Sequence, residues 1–134
     1  QRFIEKHKLS KFVFNPNFPV NTLHIMRGAI FAIDQGIGKE YIEAMYRCMW
    51  EQGLNMADAE VIKDALAAAN LPAAELLAGS LDLSVKQKLI SNTEASVNRG
   101  TFGSPTFYVG DEIFFGKDRL REVEEEIVTQ LARS

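Results

Sequence analysis

The fold is decided by residues 100–120, which read GTFGSPTFYVGDEIFFGKDRL. Pro105 opens a run rich in aromatic and β-branched residues, the composition of a strand, and a second such run begins at Glu112. The pair Gly110-Asp111 between the two runs favours a tight turn. A glycine ends the second run and an amphipathic stretch follows it. The segment therefore predicts a β-hairpin and then a last helix. On that helix we expect the apolar side chains to face inward: Leu120, Val123, Ile127, Val128 and Leu131.

The residues before this segment show helical periodicity instead. Apolar side chains recur every three or four residues through five stretches that glycine or proline separates. These predicted helices cover residues 22–36, 39–52, 57–69, a short stretch from 72, and 84–100. Further upstream, residues 1–9 resemble the end of a helix, and the composition of Lys11–Phe14 predicts a short strand.

Composition places the chain among ordinary globular proteins. Its length of 134 residues is enough for one domain with a hydrophobic core. Hydrophobic residues make up 46% of the sequence and charged residues 25%, which is the range of globular proteins. The formal net charge is -3, and basic residues are interspersed with acidic ones, so we expect no nucleic-acid partner. The apolar stretches are far shorter than a bilayer span, so we expect no membrane partner.

The cysteine and histidine content restricts the chemistry. Cys48 is the single cysteine, so these residues contain neither an internal disulfide nor a Cys-x-x-Cys pair. Cys48 lies on a predicted helix, where we expect it to act as a small hydrophobe. His7 and His24 are too few and too separated for a metal site, so no metal is expected. The lone cysteine and the charged first residues favour a cytoplasmic location.

A stiff loop precedes the first of the five helices. Residues 15–21 read NPNFPVN, and their two prolines and three asparagines exclude regular structure. The amides of Asn15, Asn17 and Asn21 are candidate contacts for a substrate or cofactor. The alternative for Asn21 is that it caps the helix that follows.

Two segments carry a family resemblance. Gly100–Val109, followed by Phe115–Leu120, resembles the C-terminal end of the DsbA-like thioredoxin superfamily. The pattern G-x-F-G-x-P-T-F and then F-G-x-D-R-L is most similar to the 2-hydroxychromene-2-carboxylate isomerases and kappa-class glutathione transferases. Asn15–Leu23, with Arg27 four residues on, is similar to the loop that leads into a helix in the isomerases. The resemblance implies an α/β, mainly helical chain with a DsbA-like thioredoxin fold and a helical insertion.

The resemblance also implies a division of the chain. Residues 1–20 would hold the end of a helix and the Asn/Pro loop, residues 21–100 the helical insertion domain, and residues 101–134 the C-terminal part of the thioredoxin fold. No segment matches the family's N-terminal strand-helix-strand part. The catalytic serine of the family is therefore expected upstream of Gln1 and has no number in this sequence.

The resemblance places a glutathione site in the last part. Pro105 is cis in the resembling proteins, which would expose the backbone of Ser104 for pairing with the cysteinyl part of glutathione. The alternative is a trans proline that starts a strand. Lys117 and Asp118 open the last helix, whose N–H groups would bind the γ-glutamyl carboxylate while Asp118 accepts from the ammonium group. The alternatives are that Asp118 caps the helix and that Arg119, also a candidate contact, forms an ion pair.

The function that the resemblance implies is isomerisation of 2-hydroxychromene-2-carboxylate to trans-o-hydroxybenzylidenepyruvate, with glutathione as a regenerated cofactor, in aromatic hydrocarbon degradation by a homodimer. Three alternatives stay open: a kappa-like glutathione transferase, a DsbA-like disulfide oxidoreductase, and a non-catalytic helical binding module. Met45, Met49 and Trp50 are candidates for the wall of an apolar substrate cavity, with core packing as the alternative.

Overall fold

The computed structural model describes residues 2–133. Its helices are α1 Arg2–Lys6, α2 Leu23–Asp34, α3 Gly38–Trp50, α4 Ala59–Ala68, α5 Ala73–Ser80, α6 Leu83–Asn98 and α7 Leu120–Arg133, and its strands are β1 Thr106–Val109 and β2 Glu112–Phe115. A 3₁₀ turn, Lys117–Arg119, lies between β2 and α7. The chain divides after Ile90 into two compact units, which we call unit 1 and unit 2. The predicted domain boundary after residue 100 differs from this division, because it would place the whole of α6 in the helical insertion domain.

The five predicted helices and the predicted hairpin are confirmed, with ends that differ by a few residues. Two aspartates fix helix starts by accepting backbone N–H groups. Asp58 accepts from Glu60 and Val61 at the start of α4. Next to α6, Asp82 accepts both the hydroxyl and the N–H of Ser84, each at 2.7 Å, and these bonds, the hydroxyl bond first, lower the pKa of the Asp82 carboxyl. No helix within residues 2–133 combines the length and the apolar character needed to cross a bilayer.

Three local predictions are wrong. Lys11–Phe14 forms no strand, because the N–H of Val13 donates to the carbonyl of Trp50 at the end of α3 and the segment aligns with no strand of the described sheet. The last α-helix begins at Leu120, because the residues after Gly116 form the 3₁₀ turn first. The apolar stripe of α7 does not all face inward, since Val123 is its one buried residue within Leu120–Arg133.

Unit 1 is a helical cluster in which α2 packs against α3 and α5, and α4 packs against the same two helices. Its core consists of buried apolar side chains: Ala32, Tyr41, Ala44, Met45, Cys48, Met49, Met56, Ile62, Ala65, Leu66 and Leu76. Gly28 allows the close approach of α2 and α3, because an added Cβ there would collide with the Tyr41 hydroxyl. Burial raises the pKa of Tyr41, and its protonated hydroxyl donates to the carbonyl of Ile25 at 3.0 Å.

Unit 2 is built on an antiparallel hairpin whose register runs from Thr106 opposite Phe115 to Val109 opposite Glu112. Gly110, with φ +57°, takes the first position of the two-residue turn, where a type II′ turn needs a positive φ. Helix α7 packs against β1, and Gln130 donates to the carbonyl of Val109 at 3.0 Å. The hairpin and α7 thus hold each other through both packing and a side-chain hydrogen bond.

Candidate functional site

The hairpin brings the two predicted glutathione-binding segments together. The N–H of Gly116 donates to the carbonyl of Pro105 at 3.0 Å, one step beyond the last strand pair of Thr106 and Phe115. Ser104 directly precedes Pro105 before β1, and Lys117 directly follows Gly116 after β2. The segments are therefore neighbours at the same end of the hairpin, although a turn of the chain separates them in sequence.

The backbone of Ser104 carries unused hydrogen-bonding groups. The Ser104–Pro105 peptide bond is cis, as the resemblance implies. Ser104 is exposed, and neither its N–H nor its carbonyl bonds another backbone group within residues 2–133. The described sheet has two strands, so β1 also has an unpaired edge. An extended peptide can add to such an edge through main-chain hydrogen bonds.

An aromatic pair lies beside the same end of the hairpin. The rings of Phe102 and Phe115 have centroids 4.6 Å apart and are inclined at 46°. A Cβ at Gly103 would lie 2.5 Å from Cε2 of Phe115, so only glycine fits at this position without displacing the ring. The glycine of the sequence motif is thus explained by close packing, and Phe102 presents an apolar face to solvent with 76% of its surface exposed.

The turn after β2 places a carboxylate beside the backbone. Gly116 has φ +102°, a conformation that favours glycine, and a Cβ there would lie 2.5 Å from Oδ1 of Asp118. The Asp118 side chain is exposed and forms no hydrogen bond or ion pair within residues 2–133. The alternative that Asp118 caps the helix is therefore wrong for the described chain. Its carboxylate is open to a cationic group of a ligand.

The other two candidates at this turn differ in their contacts. The Nε of Arg119 lies 2.9 Å from Oε1 of Glu122 in an exposed ion pair, which is the alternative predicted for this residue. Such pairs add little to stability, so exchanging this one for a ligand contact would cost little free energy. Lys117 is exposed at the start of the 3₁₀ turn. Contact of either residue with glutathione stays a prediction.

The Asn/Pro loop belongs to unit 1, and the side-chain amides of its asparagines stabilise the conformation of the loop. Asn15 is 5% exposed, and its Nδ2 donates to the carbonyls of Met49 at 3.0 Å and Leu54 at 2.8 Å. Its Oδ1 accepts the N–H of Asn17 at 2.8 Å, so the whole amide is engaged. Asn21 Oδ1 accepts the N–H of Leu23 at 3.1 Å, but the N-cap position of α2 is occupied by Thr22 and no side chain caps the helix there, so the capping alternative for Asn21 is wrong. Ligand contact by the three asparagines stays a prediction.

Comparison with known proteins assigns the family. The profile of the DsbA-like thioredoxin domain matches residues 2–128. The chain belongs to the DsbA-like thioredoxin domain family. The structure is also similar to a solved 2-hydroxychromene-2-carboxylate isomerase, with a TM-score of 0.81 and 20% sequence identity, and the match covers 99% of this chain and 64% of that one. The chain thus spans less than two thirds of that protein. The search of curated proteins found no match.

The predicted fold class is therefore confirmed: a DsbA-like thioredoxin fold that is mostly helical and has a small two-stranded sheet within the described residues. In this DsbA-like domain, Cys48 is buried in the core of unit 1, at 5% exposure. Burial raises the pKa of its thiol, and the nearby Arg47 lowers it by a smaller amount. A buried thiol of raised pKa is a poor nucleophile. Within residues 2–133, no three metal-ligating side chains of His, Cys, Asp or Glu lie together.

Two polar features of this domain escaped prediction from the sequence. Ser80, which is 1% exposed, donates its hydroxyl to the carbonyl of Leu77 at 2.7 Å, and the same oxygen is hydrogen-bonded to Nε2 of His24 at 2.6 Å. Because Ser80 is buried and substrate cannot reach it, the hydrogen bond between His24 and Ser80 is a structural contact that joins α2 to α5. The second feature is Nε of Arg27, which is buried and has no hydrogen-bond partner within residues 2–133. His24 and Ser80 lie 56 positions apart in the sequence, so no local sequence signal predicts their contact.

Proposed function

We propose that this DsbA-like domain is the glutathione-binding part of a glutathione-dependent isomerase that acts on 2-hydroxychromene-2-carboxylate. The observation that carries the proposal is the bond between Gly116 and Pro105, which brings the segments of Ser104 and Asp118 to the same end of the hairpin. The similar fold of a solved 2-hydroxychromene-2-carboxylate isomerase supports this choice of reaction.

The residues at this end of the hairpin fit the parts of glutathione. The exposed N–H and carbonyl of Ser104 suit the main chain of its cysteinyl residue, as in strand addition. The N–H of Asp118, near the start of the helical segment after Gly116, bonds no other backbone group within residues 2–133 and suits the γ-glutamyl carboxylate. The exposed carboxylate of Asp118 suits the ammonium group of the same γ-glutamyl residue.

The role that we assign to these residues is binding and orientation. When bound, glutathione would supply a thiolate that adds to the substrate and leaves it again, which permits rotation about the former ring double bond. Ser104 would hold the ligand in an extended conformation along β1. Asp118 would fix its γ-glutamyl end. Among residues 2–133 we assign no catalytic residue.

Calorimetric titration with glutathione tests the binding role of Asp118. We expect Asp118→Ala to weaken glutathione binding by about 1–3 kcal/mol, because the ammonium group of the ligand loses its charged acceptor. Cysteinylglycine lacks the γ-glutamyl group, so its affinity should not change. Asp111→Ala is the matched control, because Asp111 is an exposed aspartate in the turn at the other end of the hairpin. Equal effects of the two substitutions would contradict the assignment.

Product analysis separates the isomerase from its rivals. The protein is incubated with 2-hydroxychromene-2-carboxylate and a known amount of glutathione, and both are followed over time. Conversion of the substrate with constant glutathione supports the isomerase, whereas stoichiometric loss of glutathione indicates a kappa-like transferase. Absence of glutathione binding by the unmodified chain would leave the non-catalytic helical module. Sedimentation of the same sample checks the predicted homodimer.

A further inference from the structure

The segment of residues 101–105 leads into β1, and two hydroxyl groups of that strand hold it. Thr106 and Tyr108 lie two positions apart on β1, so their side chains project from the same face of the strand. The hydroxyl of Tyr108 bonds to that of Thr101. The hydroxyl of Thr106 donates to the carbonyl of Gly103 at 2.7 Å. Both contacts come from side chains of β1, and both act on the chain just before it.

Two further contacts restrain the residues on either side of Ser104. The carbonyl of Pro105 accepts the N–H of Gly116 at 3.0 Å. A Cβ at Gly103 would lie 2.5 Å from Cε2 of Phe115, so the backbone and this ring are in close contact. The N–H and the carbonyl of Ser104 itself bond no other backbone group within residues 2–133. The structure thus engages both neighbours of Ser104 and leaves its own backbone groups available.

The contact from Thr106 also determines the direction of a free donor. The carbonyl of Gly103 and the N–H of Ser104 belong to one planar peptide unit, and in a trans peptide these two groups point in opposite directions. This unit is trans, because the cis bonds within residues 2–133 are those that precede Pro19 and Pro105. Any rotation that redirects the N–H of Ser104 therefore breaks the hydrogen bond from the Thr106 hydroxyl.

We propose that Thr106 is a positioning residue for the peptide ligand: it holds the carbonyl of Gly103 and thereby aims the N–H of Ser104 at a main-chain carbonyl of that ligand. The hydroxyl acts through the peptide unit and needs no contact of its own with the ligand. A donor that is already aimed loses less freedom on binding, so preorganisation raises the affinity. The inference rests on the proposed function for the identity of the ligand.

The role of Thr106 predicts a pattern of ligand affinities that differs from that of Asp118. Glutathione and cysteinylglycine share the cysteinyl carbonyl that we expect to accept from Ser104. Thr106→Val keeps the branched shape and removes the hydroxyl, so it should weaken both ligands by the same factor, roughly three- to tenfold. Asp118→Ala should weaken glutathione alone. Thr106→Ser restores the hydroxyl, and its affinities should stay within about twofold of those of the unmodified chain.

Tyr108→Phe is the matched control, because it removes the other hydroxyl contact from the same face of β1. That contact ends on the side chain of Thr101 and not on the peptide unit of Ser104. If Thr106 only stabilised the hairpin, Thr106→Val and Tyr108→Phe would weaken the two ligands equally. We expect Thr106→Val to have the larger effect, by about threefold or more. Calorimetric titration measures the affinities, and circular dichroism checks that each variant is folded.

A measurement without ligand separates this inference from the proposed function. In the ¹⁵N-labelled chain we expect the Ser104 amide to have the order parameter of rigid backbone, about 0.85, and Thr106→Val should lower it toward about 0.6. Tyr108→Phe should leave it unchanged. Unchanged glutathione affinity in Thr106→Val, or an unchanged Ser104 order parameter, would overturn the inference. If the unmodified chain binds neither peptide, the proposed function fails, and the order parameter alone decides whether Thr106 directs the N–H of Ser104.

Discussion

Unit 1 and unit 2 differ in how much apolar surface they bury. Unit 1 contains a connected cluster of eleven buried apolar side chains on α2 to α5 and the segments between them. In unit 2, Val123 is the one buried apolar residue within positions 91–133. The residues Leu120, Val128 and Leu131 on the same helix are all more than half exposed.

This difference indicates how the chain distributes stability and proposed binding. Hydrophobic burial is the main favourable contribution to folding, so unit 1 should be the more stable unit. A two-stranded hairpin is marginal by itself, and that of unit 2 depends on α7 and on polar contacts. The proposed glutathione residues lie on this less buried unit. Local opening should therefore disrupt residues of unit 2, including the proposed glutathione residues, at a lower free energy than residues of unit 1.

The largest expected effect concerns the core of unit 1. Leu66 is 1% exposed, and Leu66→Ala should lower the free energy of unfolding by about 2–5 kcal/mol, because it removes buried methyl groups and leaves a cavity. Leu131→Ala is the same change at a position of unit 2 that is 71% exposed, and it should stay within about 0.5 kcal/mol. Urea titration followed by circular dichroism measures both. Similar losses would mean that the Leu131 side chain is buried in solution and that the contrast between the units is false.

An intermediate effect is expected for the Asn/Pro loop of unit 1. Asn15→Ala should lower the free energy of unfolding by about 1–3 kcal/mol, because the carbonyls of Met49 and Leu54 lose their donor. Asn17→Ala, in the same loop but exposed, should cost well under half of that. A larger loss for Asn17→Ala would show that the loop is held by its outer amide instead.

Local patterns in the sequence were enough to predict most of the elements. The spacing of apolar residues predicts α2 to α6 because each helix of unit 1 buries one face. The pair Gly110-Asp111 predicts the hairpin because a two-residue turn needs a positive φ at its first position. The neighbourhood of Pro105 and Gly116 follows from the register of the same hairpin. The resemblance then indicated which of these residues to consider for glutathione.

Features that depend on tertiary contacts were not predictable in this way. The composition of Lys11–Phe14 is that of a strand, yet Phe12 stacks on Trp50 and Val13 bonds to its carbonyl, so packing on α3 overrides the local propensity. The burial of Asn15 was equally hidden, because its two acceptors lie 34 and 39 residues away. The stripe of α7 predicts an amphipathic helix correctly, but periodicity alone does not say how much of the stripe is covered.

The smallest expected effect tests whether unit 2 responds separately from unit 1. The hydroxyl of Tyr108 bonds to that of Thr101, which also lies 2.7 Å from the hydroxyl of Ser96, and Arg99 lies 3.9 Å above the Tyr108 ring. Tyr108→Phe keeps the ring and its cation contact, so it should cost only the hydrogen bond, about 0.5–1.5 kcal/mol.

Amide hydrogen exchange measures the effect of Tyr108→Phe separately in unit 1 and unit 2. Amides of β1 and β2 should exchange faster in Tyr108→Phe, because unit 2 depends on polar contacts and has few buried side chains to compensate. Amides in the middle of α3 should keep their rates, because their protection comes from the buried cluster around Met45 and Leu66. Thr101→Val removes the same bond from its other end together with the contact to Ser96, so it should accelerate the same amides at least as much. An equal acceleration in α3 would show that the two units unfold as one, in which case differences in burial would not separate the stability of the two units.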